Sequence, residues 1–133
     1  MSTGIVIVTH GPFGRDLLVA CEAMLGPQGR CAALELQSSM GREELASQIL
    51  ARLDDFGPSL VLVDMLGGTP WNASLLGGLP QGCEVLAGLS MPILIEALSS
   101  RDRLAPRELG EFLLGQAPGM TVSATRLLGE AGA

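Results

Sequence analysis

Two spacings of apolar residues alternate along this chain: short β-branched runs, and longer stretches in which apolar positions recur three and four apart. Gly4 to Thr9 is such a run, closed by His10, Gly11, Pro12, Phe13 and Gly14, and predicts a buried strand that breaks into a loop. From Arg15, Leu17, Leu18, Cys21, Met24 and Leu25 recur at helical spacing and stop at Gly26-Pro27. Arg30 to Leu36 reads as a weaker second strand. Ser38-Ser39 offers a cap to a second helix with Leu45, Ile49, Leu53 and Phe56 on one face, ended by Gly57-Pro58. Leu60 to Val63 is apolar at every position, as expected for a strand covered on both faces. Thr69 is placed to cap a third helix whose first residue is Pro70. Cys83 to Leu89 predicts a fourth strand, Ser90-Met91-Pro92 the start of a helix carrying Ile93, Leu94, Ile95 and Leu98, and Pro106 the start of a further helix through Leu114. Met120 to Thr125 reads as a short terminal strand.

Strands alternating with helices define an α/β protein with a mostly parallel sheet flanked by helices. The 133 residues fit one compact domain, 1–133, and a hydrophobic content of 47% excludes a disordered chain. No apolar stretch approaches the roughly 20 residues of a membrane span, and the N-terminus shows neither a basic lead nor a small-residue cleavage site, so a cytoplasmic location is expected. The net charge is −6 and all eight cationic side chains are arginine, which argues against nucleic-acid binding and rules out lysine Schiff-base chemistry. Cys21, Cys31 and Cys83 are widely spaced in apolar sequence and read as free thiols, with no metal site and no cofactor implied.

Parallel strands bring the loops after them to one rim, where ligands of open α/β sheets bind. His10, Asp64 with Gly67, Gly68 and Thr69, and Ser90-Met91 would then meet there. A carboxylate beside an imidazole accepts one N–H and leaves the other nitrogen bare as base or nucleophile. A Gly-Gly-Thr turn entering a helix adds backbone N–H groups and a hydroxyl suited to a phosphoryl group. Each part also has a plainer reading: His10 or Asp64 as a loop or capping residue, Thr69 as a simple cap. The large side chains Phe13, Met65, Leu66, Trp71 and Met91 fall near the same rim and suggest an apolar docking ring, although Trp71 equally fits the first core residue of its helix.

The segments IVIVTHG, LVDMLGGTPWNAS and VLAGLSMPILIEAL resemble, in order and spacing, the mannose-family IIA domain of the bacterial phosphoenolpyruvate:sugar phosphotransferase system. The resemblance implies that His10 is the phosphorylated histidine, taking a phosphoryl group from the carrier protein HPr and passing it to a IIB partner, a transferase step in sugar uptake. Asp64 matches the aspartate that orients the ring; Gly11, Gly67, Gly68 and Thr69 match the loops around the phosphate. Thr69 stands where many members have serine. The family's last strand is exchanged between two subunits, and Met120 to Thr125 matches it, which implies a homodimer. No IIB domain follows, so the acceptor is expected to be a separate protein, and contact with a membrane only through partner IIC and IID components. A phosphocarrier that signals nutrient status, and the phosphotransfer subunit of dihydroxyacetone kinase, are the alternatives.

Overall fold

The computed structural model describes residues 2–129. Four strands, β1 (Gly4–His10), β2 (Cys31–Leu36), β3 (Ser59–Val63) and β4 (Glu84–Ala87), form one parallel sheet in the order β2-β1-β3-β4. The helices between them are α1 (Phe13–Leu25), α2 (Arg42–Phe56) and α3 (Thr69–Leu75); α4 (Met91–Ser100), α5 (Pro106–Gln116) and the short α6 (Ala124–Leu128) follow.

The period of two along the strands sorts the core into two halves. Ile5, Ile7, Leu60, Leu62 and Leu86 point to one face, where they pack with Cys21 of α1, Leu94 of α4, and Leu109 and Leu113 of α5. Val6, Val8, Val61, Val63 and Val85 point to the other, against Leu45 and Ile49 of α2 and Ala73 of α3. β1 and β3 occupy the middle of the sheet, and Ile5 to Val8 and Leu60 to Val63 are fully buried. The chain steps from β1 to β2 across the first face, then back to β3 and on to β4 across the second. Opposite directions on opposite faces keep every crossover in one hand, and this sets the carboxyl ends of β1 and β3 side by side.

Several boundaries differ from the sequence reading. Helix α1 begins at Phe13, because Pro12 (φ −83°) already lies near helical geometry. Helix α2 begins at Arg42 with Gly41 as its cap; Ser38 and Ser39 instead lie in a turn closed by the Met40 N–H donating to the Gln37 carbonyl at 3.0 Å. Thr69 is the first residue of α3 and Gly68 occupies the cap position. β4 stops at Ala87, since the N–H groups of Gly88 and Leu89 both turn to the Val63 carbonyl at 3.1 Å. Ser90 does cap α4, its hydroxyl accepting the Ile93 N–H at 3.3 Å.

The expected terminal strand is absent: after a 3₁₀ turn at Ala117–Gly119, residues 121–123 are exposed and unpaired, and α6 takes up residues 124–128. The Ser123 hydroxyl accepts the Arg126 N–H at 3.3 Å, so a side-chain cap commits the segment to a helix despite its β-branched residues. The three cysteines are free; Cys21 is buried and the other two are partly so. Burial pushes the Cys31 thiol up to about 11 and raises that of Cys21 as well.

Candidate functional site

β1 delivers His10 to the carboxyl rim as its last residue, opposite Leu36 of β2, and β3 delivers Asp64 one residue beyond its end. Because the two strands are neighbours, the side chains meet: His10 Nδ1 lies 2.8 Å from Asp64 Oδ2. The same oxygen accepts the His10 backbone N–H at 2.9 Å, and Asp64 Oδ1 accepts the Met65 N–H at 3.0 Å. Three donors therefore converge on one carboxylate, which is charge-assisted bonding of the stronger kind. Its side chain is 15% exposed while that of His10 is 48% exposed. A carboxylate only accepts, so the ring nitrogen facing it, Nδ1, is the donor, and in the neutral imidazole Nε2 is then the nitrogen with the lone pair.

The loop after Asp64 forms a wall against the imidazole. A Cβ on Gly68 would stand 2.9 Å from His10 Cε1 and 3.4 Å from Nε2, a contact only glycine permits. Gly67 has φ +84°, and the Asn72 N–H holds the Gly68 carbonyl at 3.0 Å, tying the loop to the first turn of α3. Thr69 is half-buried at the start of that turn. Gly11, the residue after His10, has φ +59° and donates its N–H to Leu36 O at 3.0 Å.

The large apolar side chains divide by location. Met65 and Leu66 lie in the loop and are 56% and 70% exposed; Phe13 opens α1 and is 46% exposed. Trp71 and Met91 sit in the first turns of α3 and α4, and each is half-buried against the core on its side of the sheet. Among the described residues no group of three or more histidine, cysteine or acidic side chains could hold a metal ion, and no helix is long and apolar enough to cross a membrane.

Two residues with supporting parts were missed in the sequence. Thr9 is fully buried; its hydroxyl donates to the Gly11 carbonyl at 3.1 Å and accepts the Gly14 N–H at 2.9 Å, so it pins both sides of the turn that carries His10. Gly14 lies so close that a Cβ there would come within 2.9 Å of Thr9 Cγ2. Asn72 reaches back toward the Gly67 carbonyl at 3.4 Å. A threonine inside a β-branched run reads as one more strand residue; the glycine four places after the histidine was the available sign of a tight approach.

An α/β domain with an oriented histidine on its carboxyl rim is the class that fold and site define. The family model described as "PTS system fructose IIA component" matches residues 4–113. The chain is 37% identical over 106 residues to the "PTS system mannose-specific EIIAB component" of Escherichia coli, a match that covers 77% of this chain and 33% of that protein. It is 31% identical over 109 residues to the "PTS system fructose-specific EIIA component" of Bacillus subtilis, covering 79% and 75%. The fold matches the crystal structure of phosphotransferase system component EIIA from Streptococcus agalactiae with a TM-score of 0.85 at 27% identity, covering 93% of this chain and 98% of that one. It also matches the mannose/sorbose-specific IIA subunit from Enterococcus faecalis with a TM-score of 0.79 at 28% identity, covering 92% and 96%. The chain belongs to the mannose–fructose family of phosphotransferase system IIA components. It spans about a third of the length of the E. coli protein.

Thr9→Val keeps the shape but strands the Gly14 N–H without an acceptor, and is expected to lower stability by about 1–3 kcal/mol. Thr9→Ser keeps the hydroxyl and should cost less. Urea unfolding of both variants checks this, and an unchanged midpoint for Thr9→Val contradicts the assigned brace.

Proposed function

We propose that this chain is a phosphocarrier of sugar transport, residues 1–133 acting as one IIA domain, in which His10 takes a phosphoryl group from HPr and passes it to a separate IIB protein. One observation carries the reading: Nδ1 of His10 is engaged by Asp64 at 2.8 Å while the ring stands on an open rim. In the transfer, the donor's bond to phosphorus breaks and its electron pair stays with the donor. The lone pair of Nε2 forms the new N–P bond. The positive charge that grows on the ring is offset by Asp64 through the Nδ1 proton. Backbone N–H groups of the Gly67-Gly68-Thr69 loop and of Gly11, with the Thr69 hydroxyl, are the candidate partners of the phosphoryl oxygens. The exposure of the ring fits delivery from a protein surface.

The docking face proposed for these partners comprises exposed Phe13, Met65 and Leu66 with half-buried Trp71 and Met91, in the loops and first helical turns that follow β1, β3 and β4. Leu66→Ala should slow phosphorylation by HPr and leave thermal stability unchanged, because a side chain 70% exposed contributes little packing. Normal transfer kinetics in that variant would argue against the face.

Pairing with a second copy through the C-terminal segment belongs to the same proposal. It is supported by β4 standing at the edge of the sheet and by Val122, Leu127 and Leu128, which are 63%, 71% and 65% exposed. Sedimentation equilibrium should give twice the chain mass; a monomer at micromolar concentration would contradict it.

Incubation with phosphoenolpyruvate, enzyme I and HPr should place one acid-labile, base-stable phosphate on the protein. His10→Ala should abolish it and leave the fold intact, as His10 is the chain's sole histidine and is exposed. Stoichiometric labelling of the alanine variant would refute the acceptor. Asp64→Asn can present its amide N–H₂ to the ring and favour the other tautomer, so transfer should fall by about 10²–10⁴-fold. A rate within a few-fold of wild type removes Asp64 from the mechanism.

A further inference from the structure

At the pole of the sheet opposite His10, the residues that lead into β1, β2 and β3 (Ser2 and Thr3, Arg30, Pro58) and residues 101–106 at the α4–α5 junction line an open cavity of about 350 Å³. Arg30, Arg101 and Arg103 line it, together with Thr3 and Pro106, and Asp102 is the single carboxylate among the lining residues. Three of the eight cationic side chains in a chain of net charge −6 thus converge on one place. The ion pairs among the described residues are formed by His10, Arg15 and Arg42, so none of these three guanidinium groups has a carboxylate of the described residues within 4.0 Å.

Their hydrogen bonds go to uncharged oxygens. Arg101, 7% exposed, donates from Nη1 to Arg30 O at 3.0 Å and from Nη2 to Gln28 Oε1 at 3.0 Å and Gly29 O at 2.6 Å. Arg103 Nη2 donates to Ser100 Oγ at 3.3 Å. Arg30 Nη2 donates to Ser2 O at 2.9 Å, while Arg30 Nε is buried with no acceptor, and the residue holds φ +47°. Bracing the loop before β2 accounts for Arg101. It does not account for Arg30 and Arg103, two further guanidinium groups at the same cavity without a carboxylate partner among the described residues.

We propose that this cavity binds a small organic phosphate. Three guanidinium groups against one aspartate leave an excess of two positive charges, which matches a phosphoryl group carrying about −1.5 to −2 at neutral pH better than a single carboxylate. The volume lies near the lower end of small-molecule sites, about 300–1,000 Å³, and exceeds what inorganic phosphate alone would fill. The site is separated from His10 by the length of β1, so its occupancy leaves the transfer rim open.

The test is an NMR titration of the ¹⁵N-labelled chain with glycerol 2-phosphate, run in parallel on His10→Ala so that binding at the rim is distinguished. Saturable shifts at Arg30 and Arg103 are expected in both proteins. Arg103→Gln, at an exposed position that leaves the core untouched, and Arg30→Gln should each weaken the affinity by about tenfold. Shifts confined to the His10 rim would overturn the proposal, as would an equal response to chloride at matched ionic strength or unchanged affinity in both glutamine variants.

Discussion

The carboxylate of Asp64 joins the ends of the two central strands. It accepts the backbone and ring N–H groups of His10 at the end of β1 and the Met65 N–H beyond β3. A side chain that holds both the backbone and the ring of the same histidine fixes where the imidazole sits and which nitrogen is protonated. The bond is possible because β1 and β3 are adjacent and parallel, with Val8 opposite Val63, so that His10 and Asp64 leave the sheet at nearly the same level. That adjacency follows from the order β2-β1-β3-β4, in which α1 crosses one face and α2 returns over the other.

Around this bond the rim is built for close approach. Gly68 puts bare backbone against the Cε1–Nε2 edge of the ring, and Gly14 packs against Thr9, whose hydroxyl ties Gly11 and Gly14 together. The fully buried valine and isoleucine rows beneath keep the strand ends from moving relative to one another, because close-packed interiors deform little. The histidine itself stays in the open, which suits a group that must meet other proteins in turn.

The parallel sheet was legible because β1 and β3 are apolar on both faces, a pattern that survives without any knowledge of neighbours. The meeting of His10 and Asp64 was legible from strand parallelism alone, and the Ser90 cap from its local spacing. What depended on other parts of the chain was harder to read. Thr9 carries the same β-branched signature whether its hydroxyl is idle or bridges two loop residues. Ser38 and Ser39 advertise a cap, yet a preceding turn at Gln37–Met40 passes that place to Gly41. At the C-terminus, Thr121 and Val122 read as strand, but Ser123 caps a helical turn, and local side-chain bonding prevails where the described chain offers no paired strand. The arginine cavity was invisible because Arg30 precedes β2 whereas Arg101 and Arg103 lie far along the chain, in the connection between α4 and α5.

If Asp64 holds the proton of Nδ1, the phosphoryl group must attach to Nε2. ¹⁵N–³¹P correlation on the phosphorylated, histidine-labelled protein distinguishes the two nitrogens directly, since only the phosphorylated one couples to phosphorus. Coupling at Nε2, with Nδ1 still protonated toward the carboxylate, is the result this account predicts; phosphorus on Nδ1 would contradict it.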